Sequence, residues 1–395
     1  MKVIQINCVY KKGSTGKICY SISKLLTANG IENLTIYSHG KNDTDHAVKL
    51  MPTIYFKFQT LFSRIFGNYG FNAYLSTLKT IRIIDKFKPD AVHLHNIHGN
   101  DFNLTMLFDY FRKHKEIKLF WTFHDTWAFT AYCPFFDVVK CDKWKTECHN
   151  CPKTKHVTWL FDRSRYLFNL KKQVTQGLNL TIVTPSKWLE ALVKQSFLKN
   201  YPCLVINNGI DLCVFKPTDN NFREEYHIPA NKKILLLVTA SVCYGKGIDI
   251  FAELAKRMDT EKYQFVLVGG NEKKDKGLPD NIISIHATKS QQKLAEIYSA
   301  ADLFVNTTRE DNFPTVNMEA IACGTPVITF RTGGCPEMVT DKTGMVIERG
   351  DIDAMQRGIE EICENNLFSR ETCVKIGHEF DANKRFLEYM ELYTK

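Results

Sequence analysis

The sequence predicts an α/β protein built from two doubly wound domains, and three observations carry that prediction. At 395 residues the chain exceeds what one ordinary core encloses, which gives two domains. Short, nearly continuous apolar runs alternate with segments of helical period, as parallel strands covered by helices on both faces require. The alternation runs once through the first half and begins again in the second.

Taken in order, the first half offers strands at "VIQINCV", "NLTIYS", "DAVHLHN", "KLFWTFHD" and "LTIVTPS". The second half offers "KKILLLVTA", "QFVLVGG", "IISIHAT", "DLFVNTT", "PVITFRT" and "MVIER". Between them "CLVINNGIDLCVFKPTDNN" holds a final strand, and Asn208-Gly209 and Pro217 punctuate it. The boundary is therefore expected at 215/216, dividing residues 1–215 from 216–395, and the chain closes in helical segments. Ligands of such sheets bind beyond the carboxyl ends of the strands, so a substrate is expected in a cleft between two such ends.

Apolar residues make up 44% and charged residues 24% of the chain, the balance of a globular protein. The start, "MKVIQINCVYKKG", has no long apolar stretch or small-residue cleavage site, and no run approaches a membrane span, so a cytoplasmic protein is expected. Its 13 cysteines, an odd number, fit a reducing compartment. Net charge is +9 and unevenly spread: residues 1–200 carry 29 Lys and Arg against 14 Asp and Glu, the remainder 23 against 29. A basic half can attract nucleic acid, anionic lipid or a phosphorylated substrate, and the absence of a zinc-finger, basic-zipper or RNA-recognition motif excludes nucleic acid as the expected partner.

The first loop, "GSTGK" (Gly13 to Lys17), superficially resembles a nucleotide-binding P-loop. A P-loop reads G-x-x-x-x-G-K-[ST]; here Lys11 stands at the first glycine and Ile18 at the magnesium hydroxyl, so an ATPase is not expected. What remains is a glycine turn from strand to helix whose free N–H groups suit an anion. It could equally be a tight turn with no ligand.

The most informative stretch is "NTTREDNFPTVNMEAIACGTPVITFRTGGCPEMV". It reads strand, loop, helix, strand, and sets Asp311 and Glu319 eight positions apart. A carboxylate on such a helix can accept the hydroxyls of a ribose, and the loop before it offers N–H groups to a sugar or phosphate. Upstream, "SVCYGKGIDIF" puts Lys246 in a glycine-flanked loop at a helix start, where a cation can face a diphosphate.

These residues, together with "DAVHLHNIHG", "TFHDTW", "TPSKWL" and "INNGIDLCVFKP" in the same order, resemble the GT-B retaining glycosyltransferases of family 4, marked by E-x7-E in "E-x-F-G-x-x-x-x-E-A-x-A-x-G-x-P-V". The resemblance implies two Rossmann-like domains: an acceptor-side domain (1–215) and a nucleotide-sugar domain (216–395), the last helices returning to the first. It implies transfer of a sugar from a UDP- or GDP-sugar to a lipid-linked glycan in capsule, exopolysaccharide or lipopolysaccharide synthesis, with no catalytic metal. Glu319 would hold the donor ribose, Lys246 the diphosphate, and Asp311 with the N–H groups of Phe313, Thr315 and Val316 the sugar. Gly13 to Gly16 would face the donor diphosphate or acceptor. His124 matches the family's N-domain histidine; His95 and His98 are secondary candidates, and His93 is assigned to structure.

Three positions depart from the family pattern. The first acid is Asp311 with Glu310 before it, and either can supply the first carboxylate. Pro314 replaces a glycine and removes one N–H. Ser241 stands near where many members carry an arginine for the phosphates, which leaves more of that charge to Lys246. D-x-D, the metal motif of other transferases, occurs as Asp43-Thr44-Asp45 and Asp351-Ile352-Asp353; the first lies in a polar run and the second reads as a helix start.

Two further features stand out. Cys133, Cys141, Cys148 and Cys151, within an insert spanning 133–152, have the ligand type and number of a structural zinc site that would pin the loop after His124; clustered reduced thiols are the alternative. Residues 54–88 interleave aromatics with six Lys and Arg and one acidic residue, which suits an anionic membrane on the inner face of the cell, whereas packing on the sheet is the expected fate of most of those aromatics. Two rival functions remain: a nucleotide-sugar epimerase on the same fold, which would need its own acid/base pair, and a non-catalytic module that binds a glycan or partner.

Overall fold

A computed structural model describes residues 1–239, 243–270, 277–286, 288 and 290–394. Ser241 lies outside the described residues. The chain divides into two compact units, residues 1–207 with 386–395, and residues 208–385, so the division falls at Asn207/Asn208 where 215/216 was expected.

The first unit holds β1 (Lys2–Val9), β2 (Glu32–His39), β3 (Ala47–Lys49), β4 (Ala91–Leu94), β5 (Lys118–Thr122), β6 (Leu180–Thr184) and β7 (Cys203–Val205). They form one parallel sheet in the order β3-β2-β1-β4-β5-β6-β7. Both faces are covered, so β1 buries its polar Gln5 and Asn7 as fully as Ile4 and Ile6. Three-residue β3 has no apolar run to announce it and was not expected. The order reverses between β1 and β4, and this switch point opens beyond their carboxyl ends, at the turn before Gly13 and at His95. From residue 386 onward the last helix, Ala382–Thr394, belongs to this unit, burying Tyr389 and Tyr393.

The second unit holds β8 (Lys233–Val238), β9 (Tyr263–Val268), β10 (Ile282–Ile285), β11 (Leu303–Asn306), β12 (Val327–Phe330) and β13 (Gly344–Ile347), in the parallel order β10-β9-β8-β11-β12-β13. Alternation along the strands divides its core. Leu236, Phe304 and Val327 pack with Tyr298 and Ile321 on one face. Leu235, Val305 and Ile328 pack with Phe251 and Ile359 on the other. The switch point here falls between β8 and β11, so Lys246 and the loop 307–314 stand at the same end of the sheet. Among the described residues no helix is long and apolar enough to cross a membrane.

Candidate functional site

In the second unit, backbone stitching brings Lys246 to the acidic loop. Gly247 adopts φ +68°, and a Cβ there would stand 1.9 Å from the Thr307 carbonyl oxygen, so only glycine permits this approach. Thr307 Oγ1 donates to the Gly247 carbonyl (2.8 Å), and the Arg309 N–H to the Gly245 carbonyl (2.8 Å). Lys246 Nζ consequently meets Asp311 Oδ2 at 2.5 Å. Burial opposes the charge on Lys246, yet the Asp311 carboxylate holds its pKa above the ordinary lysine value. Gly333 performs a second close approach: its Cβ would fall 1.8 Å from the Asp311 carbonyl oxygen, and the Gly334 N–H donates to Asn312 (2.7 Å). Asp311 is thus clamped from both sides.

Glu319 lies on the helix Thr315–Ala322, which Pro314 precedes with an extended backbone. Phe313 and Pro314 are buried, while Thr315, Val316 and Glu319 are partly exposed. Tyr298, buried within the core, donates its hydroxyl to Glu319 Oε2 (3.0 Å) and so fixes the direction of that carboxylate. Glu310 lies against the Lys246 loop, its N–H donating to the Gly245 carbonyl (3.2 Å). The structure therefore brings Lys246, Glu310 and Asp311 together, with Glu319 on the helix that follows.

In the first unit, the helix Gly13–Ala28 begins at the glycine turn with no side-chain cap, leaving first-turn N–H groups for a ligand or water. The Lys11 N–H donates to the Gly16 carbonyl (3.1 Å), closing the turn. The ammonium of Lys11 is held by Asp43 (2.8 Å) and Asp45 (3.2 Å), so this D-x-D pairs with a lysine. The other supplies a helix cap, Asp351 Oδ1 accepting from the Ala354 N–H (2.8 Å).

Beyond β4 and β5 lies a pocket lined by His95, His98, His124, Asp125 and Trp127. Gln5 donates its amide to the Cys19 carbonyl (3.0 Å), so its oxygen accepts from His95 Nε2 (3.2 Å). His95 Nδ1 must then be an acceptor, and His124 Nε2 donates to it (3.2 Å). This chain of tautomers assigns His124 an acceptor Nδ1. Burial lowers the pKa of His124 to about 4 and that of His95 well below its usual value, so both rings are neutral near pH 7. His93 sits further back, bonded to Tyr393 (2.5 Å) and Thr122 (2.7 Å), with burial lowering its pKa to about 3. Its partners are all protein groups of the packed interior.

His98 behaves differently. Burial would lower its pKa, but Asp125 at 3.1 Å overrides this and holds it above the usual histidine value. Asp125 itself keeps a depressed pKa against burial because of His98 and accepts from the Trp127 N–H (2.9 Å). The pocket thus combines neutral acceptors with one ion pair. Sequence reasoning singled out neither Asp125 nor Tyr298. Adjacency to His124 could have flagged Asp125; nothing in the spacing marks Tyr298, which reaches Glu319 only through helix packing.

The four cysteines of the insert line one small cavity with Phe136 and Trp144. Among the described residues no group of three or more His, Cys, Asp or Glu side chains is placed to hold a metal ion, so the expected structural zinc finds no preformed ligand set. Cys133 and Cys151 instead share a hydrogen bond, which holds the Cys151 pKa down to about 7 against burial while raising that of Cys133. The loop before them is pinned by fully buried Lys171, whose Nζ donates to the Trp127 (2.6 Å) and Thr130 (2.7 Å) carbonyls and lies 3.5 Å from the Trp127 ring centroid.

The family described as Glycosyltransferase Family 4 matches residues 15–213, and Glycosyl transferases group 1 matches residues 218–380. The chain is 23% identical over 378 residues to the putative colanic acid biosynthesis glycosyl transferase WcaC of Escherichia coli, covering 89% of this chain and 88% of that protein. Its fold matches sucrose-phosphate synthase from Thermosynechococcus elongatus, with a TM-score of 0.72 at 18% identity, over 100% of this chain and 98% of the other. It also matches Anabaena HepE, solved in complex with UDP, with a TM-score of 0.70 at 14% identity over the whole of both chains.

Proposed function

As a member of Glycosyltransferase Family 4, the chain is a glycosyltransferase of the GT-B fold, and we propose that it transfers a sugar from a nucleoside-diphosphate donor, with retention of configuration, to a lipid-linked surface glycan. The observation that carries this reading is the glycine-enforced meeting of Lys246 with Asp311 beside the helix bearing Glu319, at the switch point of the second sheet.

In this reading Lys246 leaves Asp311 for the donor diphosphate, neutralising the charge that grows on the leaving group. Glu319, aimed by Tyr298, accepts the ribose hydroxyls. Asp311 or Glu310 accepts from sugar hydroxyls, aided by the N–H groups of Phe313, Thr315 and Val316. A donor phosphate oxygen takes the proton of the attacking hydroxyl. In the first unit, the Gly13 to Gly16 turn faces phosphate or acceptor, and His124 Nδ1 accepts from a hydroxyl of acceptor or donor sugar. No step calls on a catalytic metal. The donor is UDP- or GDP-linked, with UDP first because the Anabaena relative holds it. The acceptor belongs to a cell-surface polysaccharide, as the Escherichia coli relative's name suggests. The protein works in the cytoplasm at the inner face of the cell membrane, with no nucleic-acid partner.

Thermal melts with UDP, GDP and ADP test this reading. Stabilisation by UDP or GDP that Glu319→Ala abolishes supports it. No response to any of the three overturns it and moves the binding-module alternative ahead.

A further inference from the structure

The first unit carries an apolar surface that the rest of its fold leaves uncovered. Among the described residues 17 large apolar side chains are exposed, and 12 of them fall within residues 54–78 and 159–166. The helix Thr53–Phe66 buries only Phe56 and Ser63. Ile54, Phe58, Phe62 and Phe66 recur every fourth residue along another face and are 44–64% exposed, the last two rings 4.4 Å apart. Sheet packing was the expected fate of most aromatics in 54–88, and it fails for Phe58, Phe62, Phe66 and Tyr74.

A second element extends this face. The loop following the short helix Thr154–Val157 exposes Trp159, Leu160 and Phe161 by 54–66%. It is fixed to the end of the first helix: the Trp159 N–H (2.7 Å) and Thr158 Oγ1 (3.1 Å) both donate to the Arg64 carbonyl, and Arg163 Nη1 to that of Phe66 (3.4 Å). Stripe and loop therefore form one continuous surface.

Its charge is of one sign where it counts. Residues 46–84 contain no Asp or Glu and five Lys and Arg. The Arg64 guanidinium lies over the Trp159 ring (5.7 Å) and that of Arg163 over Tyr166 (4.5 Å). Asp162, the carboxylate inside the loop, accepts from the backbone N–H groups of Cys151 and Ser164 (2.8 Å each). Apolar side chains bordered by cations match the boundary between acyl chains and anionic headgroups.

We propose that this face, Ile54 to Phe66 together with Trp159 to Phe161, inserts into an anionic bilayer, so that apolar burial holds the enzyme on the membrane and the arginines only select the lipid charge. The inference rests on the reading that the acceptor is lipid-linked, and it differs from simple basic attraction in predicting resistance to salt.

The test uses the full chain with vesicles of phosphatidylethanolamine and phosphatidylglycerol, and no acceptor. Trp159 is the one exposed tryptophan of five, the others being buried or partly so. Its emission shifts to the blue and is quenched by brominated acyl chains, a change that Trp159→Phe removes. Binding persists in ~1 M salt, where the Debye length is about 3 Å. Phe62→Glu and Leu160→Glu, both at exposed positions, each lower vesicle partitioning at least about tenfold. Nucleotide melts on the same samples separate the two claims. Failure to bind vesicles while UDP or GDP still stabilises overturns the surface alone; vesicle binding without nucleotide binding supports the surface and overturns the donor site. Full release by salt, or an unshifted Trp159, overturns insertion. Self-association abolished by Phe62→Glu, without vesicle binding, assigns the face to a second copy and overturns the membrane.

Discussion

Replacing Lys246 with Met keeps most of the side-chain stem and removes the charge that faces Asp311 at 2.5 Å. In the donor complex that ammonium would make charge-assisted hydrogen bonds to phosphate, each worth about 1.5–3 kcal/mol. Losing one weakens UDP binding by about 10- to 150-fold. With UDP at about 100 times the wild-type dissociation constant, the ligand adds ~2.7 kcal/mol to the wild type and only about 0.3–1.4 kcal/mol to the variant. Each protein is melted against its own ligand-free sample, which cancels the stability cost of leaving Asp311 unpaired. The reverse change, Asp311→Asn, frees Lys246 and removes a negative charge near the diphosphate, a repulsion of about 1 kcal/mol at ~5 Å in water. UDP should then bind a few-fold more tightly while sugar transfer falls. Undiminished stabilisation of Lys246→Met by UDP would refute the assignment of the lysine to the phosphates.

Three further predictions follow from the same geometry. Tyr298→Phe removes the hydrogen bond that aims Glu319, so calorimetry should show UDP binding weakened by up to about tenfold, the worth of one bond of 0.5–1.5 kcal/mol, and unchanged affinity would detach Tyr298 from the ribose site. His98 has a raised pKa in the folded state, so its pair with Asp125 contributes fully below the unfolded value of about 6.5 and is lost as pH rises through the folded one. The stability gap between wild type and Asp125→Asn in urea should therefore be widest at about pH 5.5 and narrow as pH rises through that raised folded value; a constant gap argues against the ion pair. Cys151, with its pKa lowered to about 7, should be alkylated ahead of the other insert cysteines near neutral pH, and Cys133→Ala should move its reactivity profile to higher pH, as peptide mass spectrometry can follow.

What was legible in the sequence depended on whether the signal was local. The two sheets could be read because each strand is an apolar run that declares itself without its neighbours; β3, three residues at an edge, does not. Lys246 and Asp311 lie in the loops that follow β8 and β11, and Glu319 on the helix after the second loop, so their gathering at one end of the sheet was readable from order along the chain. Their supports were not, because Tyr298 and Gly333 act across packed elements. The cysteine spacing gave ligand type and number; that the four side chains line one cavity, with Cys133 and Cys151 hydrogen-bonded, is decided by how the insert folds. The exposed stripe of Ile54, Phe58, Phe62 and Phe66 was half visible: its periodicity announces an amphipathic helix, but which face meets the sheet is decided by the helix's placement.

The measurement that bears most directly on the central claim is proton NMR of the sugar released or transferred when the protein is given α-linked UDP- and GDP-sugars. The account predicts nucleoside diphosphate release with at least one donor and an α-anomer at the earliest time points, the signal vanishing in Glu319→Ala. A β-anomer appearing first would contradict retention, and a lack of turnover with every donor, acceptor-bearing membranes included, would contradict the assignment of the second unit's site to sugar transfer.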